Sequence, residues 1–119
     1  MRRLNSPALR REFERKADRR GRHHARQVLE IIPVVVQAVF ELADPGTVYG
    51  SLYNEVLTGR SGWASFRGRR VWGGYNSKRG QIEFREENRL GRAIARFDND
   101  SSRAAVERQI RNFGRRRAR

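Results

Sequence analysis

The residues best suited to chemistry lie between Gly59 and Gly80. Basic side chains (Arg60, Arg67, Arg69, Arg70, Lys78, Arg79) alternate there with aromatic ones (Trp63, Phe66, Trp72, Tyr75), and six glycines punctuate the segment. No acid occurs between Glu55 and Glu83. Guanidinium and ammonium groups neutralise phosphates and release counterions. Exposed rings stack on unpaired bases. One segment thus matches two parts of a nucleic acid. For each aromatic taken singly, the plainer reading is that it completes a small core.

Other chemistries find weaker support. The glycines fit neither G-x-x-x-x-G-K-[ST] nor G-x-G-x-x-G, so no phosphate-cradling loop is expected. His23-His24 are adjacent, and on a helix they would point about 100° apart, whereas a metal pair needs four-residue spacing. Asp98-Asn99-Asp100 begins like a calcium loop, but Arg103 stands where the loop needs Gly and Gln109 where it needs the closing Glu. Without Cys there is no thiolate ligand, thiol nucleophile or disulfide framework. Nuclease chemistry would need an acid cluster or a His/Glu/Arg constellation; Glu83 and Glu55 near Arg69 or Arg70 are the only candidates. No cofactor is expected.

The whole chain carries 27 basic and 13 acidic residues, a net charge of +14. Such an excess points to a polyanionic partner. Only Lys16 and Lys78 are lysine; the rest are arginine, whose planar fork pairs with phosphate and stacks on bases. A GC-rich coding bias raises arginine as well.

These residues must be positioned by a small core, because only 37% of the chain is hydrophobic. The one strongly apolar run is Val28–Leu42. Glu30, Gln37 and Glu41 fall within about 20° of one line on a helical wheel. That stripe predicts a mostly buried helix, kinked or restarted at Pro33, with Phe40 on its apolar side. The β-branched residues Ile31, Ile32 and Val34–Val36 argue for a strand instead. The run is too short to cross a bilayer and carries charges, so no membrane span is expected. It lacks a small-residue cleavage pattern, so no secretory signal is expected either.

Ser6-Pro7 resembles a helix start, and Leu9, Phe13 and Ala17 form a thin apolar edge. Residues 1–26 therefore read as a basic arm whose helix docks weakly or folds on its partner. Asp44-Pro45-Gly46 reads as a turn. A short helix is expected from Thr47, with Tyr49, Tyr53, Val56 and Leu57 on one side and Gly59 as its C′ residue. Strands are expected at 63–67, 69–75 and 81–86, with residues 76–80 as a hairpin loop. Trp72 and Tyr75 then lie on opposite faces; Tyr75, nearer the loop, is the expected exposed one.

From Glu86 the period reads as helical, with Leu90, Ala93, Ile94 and Phe97 inward. On that helix Arg85, Arg89, Arg92 and Arg96 project at about 0°, 40°, −20° and 20°, a straight basic ridge on which Arg92 and Arg96 have no acid partner. A last helix with Val106, Ile110 and Phe113 inward closes at Gly114. The tail that follows includes Arg115, Arg116 and Arg117.

The expected fold is α+β: a central apolar helix packed between a small antiparallel β-meander and C-terminal helices, with Arg-rich arms at both termini. The domains are a basic arm (1–26), one α+β domain (27–114) and a basic tail (115–119). The expected function is non-enzymatic nucleic-acid binding, to RNA or DNA, largely through the backbone. A small ribonucleoprotein or packaging component would fit, in the cytoplasm or associated with a nucleoid or virion. One alternative is an assembly protein that meets an acidic protein partner, and a homo-oligomer through the apolar helix is compatible with it. The other is a small basic nuclease.

Overall fold

The computed structural model describes residues 1–115. The fold is α+β, with a six-stranded antiparallel sheet in sequence order and three helices. The strands are β1 (Arg2–Arg3), β2 (Tyr49–Tyr53), β3 (Val56–Phe66), β4 (Arg69–Asn76), β5 (Gln81–Glu86) and β6 (Ala93–Phe97). The helices are α1 (Pro7–His24), α2 (Ile32–Leu42) and α3 (Arg103–Arg111).

The helices pack on one face of the sheet. Ser6 caps α1, its hydroxyl accepting from the Leu9 N–H, and Pro7 occupies the first turn. The edge formed by Leu9, Phe13 and Ala17 does contact the core, but residues 1–26 are not a weakly docked arm. Leu4, Ala17 and Gly21 are buried, and β1 pairs with β2. Gly59 explains the close fit of α1. A Cβ there would overlap the Ala17 nitrogen, so only glycine lets β3 approach the helix backbone.

The apolar run is helical from Ile32, with Pro33 in the first turn, where it displaces no intrahelical hydrogen bond. Residues 26–28 form a 3₁₀ turn that leads into it. Glu30, Pro33, Gln37 and Glu41 are exposed, as the stripe requires. Ile32, Val35 and Ala38 are buried, whereas Phe40 is only half-buried beneath the Arg10 guanidinium. α2 contacts both α1 and α3. Ser102 caps α3, and Val106, Ile110 and Phe113 are buried beside Phe66 and Phe84.

Two expected helices are strands. Residues 49–59 form the β2–β3 hairpin, turned at Asn54-Glu55, both with positive φ. Residues 93–97 form β6, where Ala95 and Phe97 point inward and Arg96 outward. A single C-terminal helix therefore follows the sheet, not several.

Candidate nucleic-acid interface

Pairing fixes which side chains share a face. From Ala64↔Val71 and Phe84↔Ala95, the helix-covered face carries Ala64, Val71, Phe84, Ala95 and Phe97, all buried. The residues between them point to the other face. There one row crosses five strands: Arg3↔Tyr49, Tyr49↔Trp63, Trp63↔Trp72 and Trp72↔Arg85. Neighbouring positions in such a row lie about 5 Å apart. Tyr49, Trp63 and Trp72 are half-exposed and stand outside the hydrophobic core.

Cations flank these rings. The Arg3 guanidinium sits 5.5 Å from the Tyr49 ring centre, and its Nε and Nη2 donate to the Tyr49 hydroxyl at 3.0 and 2.9 Å. The Arg70 guanidinium lies 5.6 Å from the Trp63 ring centre. Gly74 makes room for the Trp72 indole, because a Cβ there would lie 2.5 Å from the ring.

A second row holds the face's buried charge. Glu83 on β5 lies opposite Arg96 on β6 and is 3% exposed. Its Oε2 accepts from Arg96 Nε at 2.7 Å, and its Oε1 from Arg85 Nη2 at 2.9 Å. Arg79 approaches to 4.0 Å. Burial alone would raise the pKa of this carboxyl. Hydrogen bonds from Arg96, Asn76 and Arg85, with the Arg85 charge, override it and hold the pKa at about 2.

The expected helical ridge of Arg85, Arg89, Arg92 and Arg96 does not exist. Arg85 and Arg96 lie on adjacent strands and grip Glu83; Arg85 Nη1 also donates to the Gly91 carbonyl at 2.8 Å. Arg92 in the β5–β6 loop pairs with Glu86 at 2.9 Å, and Arg89 is exposed in the same loop. The assignment of Trp72 and Tyr75 is reversed as well. They do lie on opposite faces, with unbroken register and no bulge in β4. But Tyr75 pairs with Ile82 on the inner face and donates to Gln27 Oε1 at 3.2 Å, while Trp72 takes the open face.

The open face thus gathers Arg70, Trp72, Arg85 and Arg96 from the expected residues, with Arg79 reaching its Glu83 from the β4–β5 turn. It does not include Arg67 and Arg69, which lie at the β3–β4 turn, nor Lys78, in the β4–β5 turn at the far end of β4. Arg115 is exposed and follows Gly114, which abuts the Phe66 carbonyl, so it joins Arg67 and Arg69 at that sheet end. Arg116 and Arg117 lie outside the described residues.

Sequence reasoning missed Arg3, Tyr49 and Trp63 as members of this face. A usable signal was the two-residue turn Arg67-Gly68, both with positive φ, which places Trp63 opposite Trp72.

The residues expected for nuclease chemistry do not come together. Glu83 is held by Arg85 and Arg96, away from Arg69 and Arg70, and Glu55 is in the β2–β3 turn. Among the described residues no three His, Asp or Glu side chains come together as a metal cluster, and no helix is long and apolar enough to cross a membrane. No protein-family model matches this chain, and no curated protein is similar to it.

Proposed function

We propose that this protein binds nucleic acid without chemical conversion, laying a single strand across the open face of its sheet. The observation that carries this reading is the row Arg3–Tyr49–Trp63–Trp72–Arg85. Three aromatic rings at strand spacing offer stacking positions for two or three bases, the manner in which other sheet-based RNA-binding modules work. Arg3, Arg70 and Arg96 supply cations for the phosphates beside them, and the net charge of +14 adds long-range attraction. Glu83 holds the guanidiniums of Arg85 and Arg96 on this face and offsets part of their charge.

Stacking needs unpaired bases, so a single strand should bind more tightly than a duplex of the same sequence. If six to ten phosphates are contacted, affinity should fall about 10³–10⁵-fold between 50 and 200 mM salt. Titration of labelled single-stranded and duplex oligonucleotides across that range tests both points. Equal affinity for the two forms, or a flat salt response, would overturn the reading.

One observation favours a second reading, docking to a protein partner in an assembly. The β2–β3 hairpin extends beyond β4, which pairs only with Ser61–Phe66. Its end carries Tyr53, 74% exposed, and Val56, 50% exposed. An assembly protein would bind one acidic partner far better than any oligonucleotide and would lose that binding on Tyr53→Ser.

A further inference from the structure

The helix-covered face contains a cavity of about 680 Å³ between α1, α2 and the sheet. Its floor is the backbone of Gly62 and Gly73, paired opposite each other on β3 and β4. The Phe84 ring fills the position over Gly73, where a Cβ would lie 2.7 Å from it, and the remaining space is bounded by Phe13 from α1, by Val36, Val39 and Phe40 from α2, and by Ile82 from β5. All five are only half-buried, so their apolar surface is not consumed by packing. The two helices meet at one end, where a Cβ on Gly21 would lie 2.8 Å from Ile32 Cδ1. At the other end the Arg10 guanidinium closes over the Phe40 ring at 5.0 Å.

The polar lining is basic. Arg20, His24, Arg60 and Arg89 border the cavity, and no acidic residue does. The contact of Gly59 with Lys16 and Ala17 sets Arg60 beside Arg20, one turn further along α1. Among the described residues neither arginine has a carboxylate within 4.0 Å, although six other ion pairs form. Partial burial, together with the charge of Arg60, lowers the Arg20 pKa, so the pair is mutually unfavourable as it stands.

We infer that this cavity binds a free single-chain anionic amphiphile, a long-chain monocarboxylate, with its head between Arg20 and Arg60 and its tail along the apolar walls that α1 and α2 supply. The volume lies within the range of small-molecule sites, which are mostly apolar with a few placed polar groups. An inorganic anion would leave the apolar walls unused. A neutral hydrocarbon would leave the two cations unpaired. Tyr49, Trp63 and Trp72 also border the cavity, but neither the head nor the tail position uses their rings, and the inference does not depend on nucleic-acid binding.

Isothermal titration of the full chain with octanoate, decanoate and dodecanoate, each below its micelle concentration, tests the inference. One ligand per chain is expected, tightening about threefold to fourfold per methylene. Arg20→Gln with Arg60→Gln should weaken dodecanoate binding at least tenfold and keep the dependence on chain length. Arg11→Gln with Arg15→Gln removes the same charge from the exposed side of α1 and should leave binding unchanged. Absence of binding, affinity independent of chain length, or equal losses in the two double variants would overturn the inference. If the Arg20/Arg60 variant does not fold, the wild-type chain-length series decides alone.

Discussion

Trp63 and Trp72 stand directly opposite each other on β3 and β4, on the sheet face opposite the one that carries the buried Ala64 and Val71. Their positions follow from the turn between them. In a two-residue hairpin centred on Arg67-Gly68, partners are equidistant from the turn, and each residue's face is then set by the period of two. Under the proposed function Trp72 is then the stacking residue on β4, whereas Tyr75 packs against the core. Trp72→Ala should weaken single-strand binding by about 1–3 kcal/mol with little loss of stability. Tyr75→Ala should do the reverse, lowering stability by roughly 1–3 kcal/mol, less than a fully buried aromatic, and leaving affinity nearly intact. Paired denaturation and binding curves for both variants check this.

Glu83 makes stability depend on acid. Its pKa is about 2 in the folded chain, below the ordinary 4.5. A carboxyl whose pKa is depressed by folding contributes stability that is fully present above pH 4.5 and is lost as pH falls towards 2. The loss should reach about 3 kcal/mol, read as a falling urea midpoint across that window. Glu83→Gln should abolish most of this dependence.

The same substitution should act on binding in the opposite direction. It removes the negative charge of Glu83, the only buried carboxylate among the described residues, and under the proposed function leaves Arg85 and Arg96 free to pair with phosphates. Oligonucleotide affinity of Glu83→Gln should rise several-fold at low salt, with a steeper salt slope, despite the lower stability. An unchanged slope in fluorescence anisotropy would show that these arginines do not face the ligand.

Asp44 pins the β3–β4 turn. Its two carboxylate oxygens accept from the backbone N–H groups of Arg67 and Gly68 at 3.0 and 2.8 Å, and its own N–H donates to the Ser65 carbonyl. Asp44→Ala should cost about 1–3 kcal/mol, since both hydrogen bonds go to a charged group. In the core, Phe97→Ala should cost roughly 3–5 kcal/mol, because Phe97 is 1% exposed, and Phe40→Ala clearly less. Chemical denaturation of the three variants ranks them.

Much of this architecture was legible in the sequence, and the errors have physical causes. The stripe of Glu30, Gln37 and Glu41 identified α2 because solvent exposure repeats with the helical period. Asn76–Gly80 marked the β4–β5 hairpin through its turn residues. Residues 49–57 misled because Tyr49, Tyr53, Val56 and Leu57 also fit a helical face, while the turn at Asn54-Glu55 lacks the glycine that usually announces a positive-φ pair. Leu90, Ala93, Ile94 and Phe97 misled in the same way. Leu90 is 86% exposed, and the governing pattern is the alternation of Ala95, Arg96 and Phe97. With β6 read as a helix, the partnership of Glu83 with Arg96 could not be seen, because it exists only across two paired strands.

The most direct test of the central claim uses the chain's own chromophores. Trp63 and Trp72 are its only tryptophans, and both lie in the aromatic row. Titration with a single-stranded oligonucleotide, followed simultaneously by anisotropy of a label on the nucleic acid and by tryptophan emission, reports whether binding occurs at this face. The open-face account predicts saturable quenching of tryptophan emission with the same midpoint as the anisotropy change, both shifting together as salt rises. A full anisotropy change with tryptophan emission unaltered would contradict it and move the nucleic acid to another basic surface.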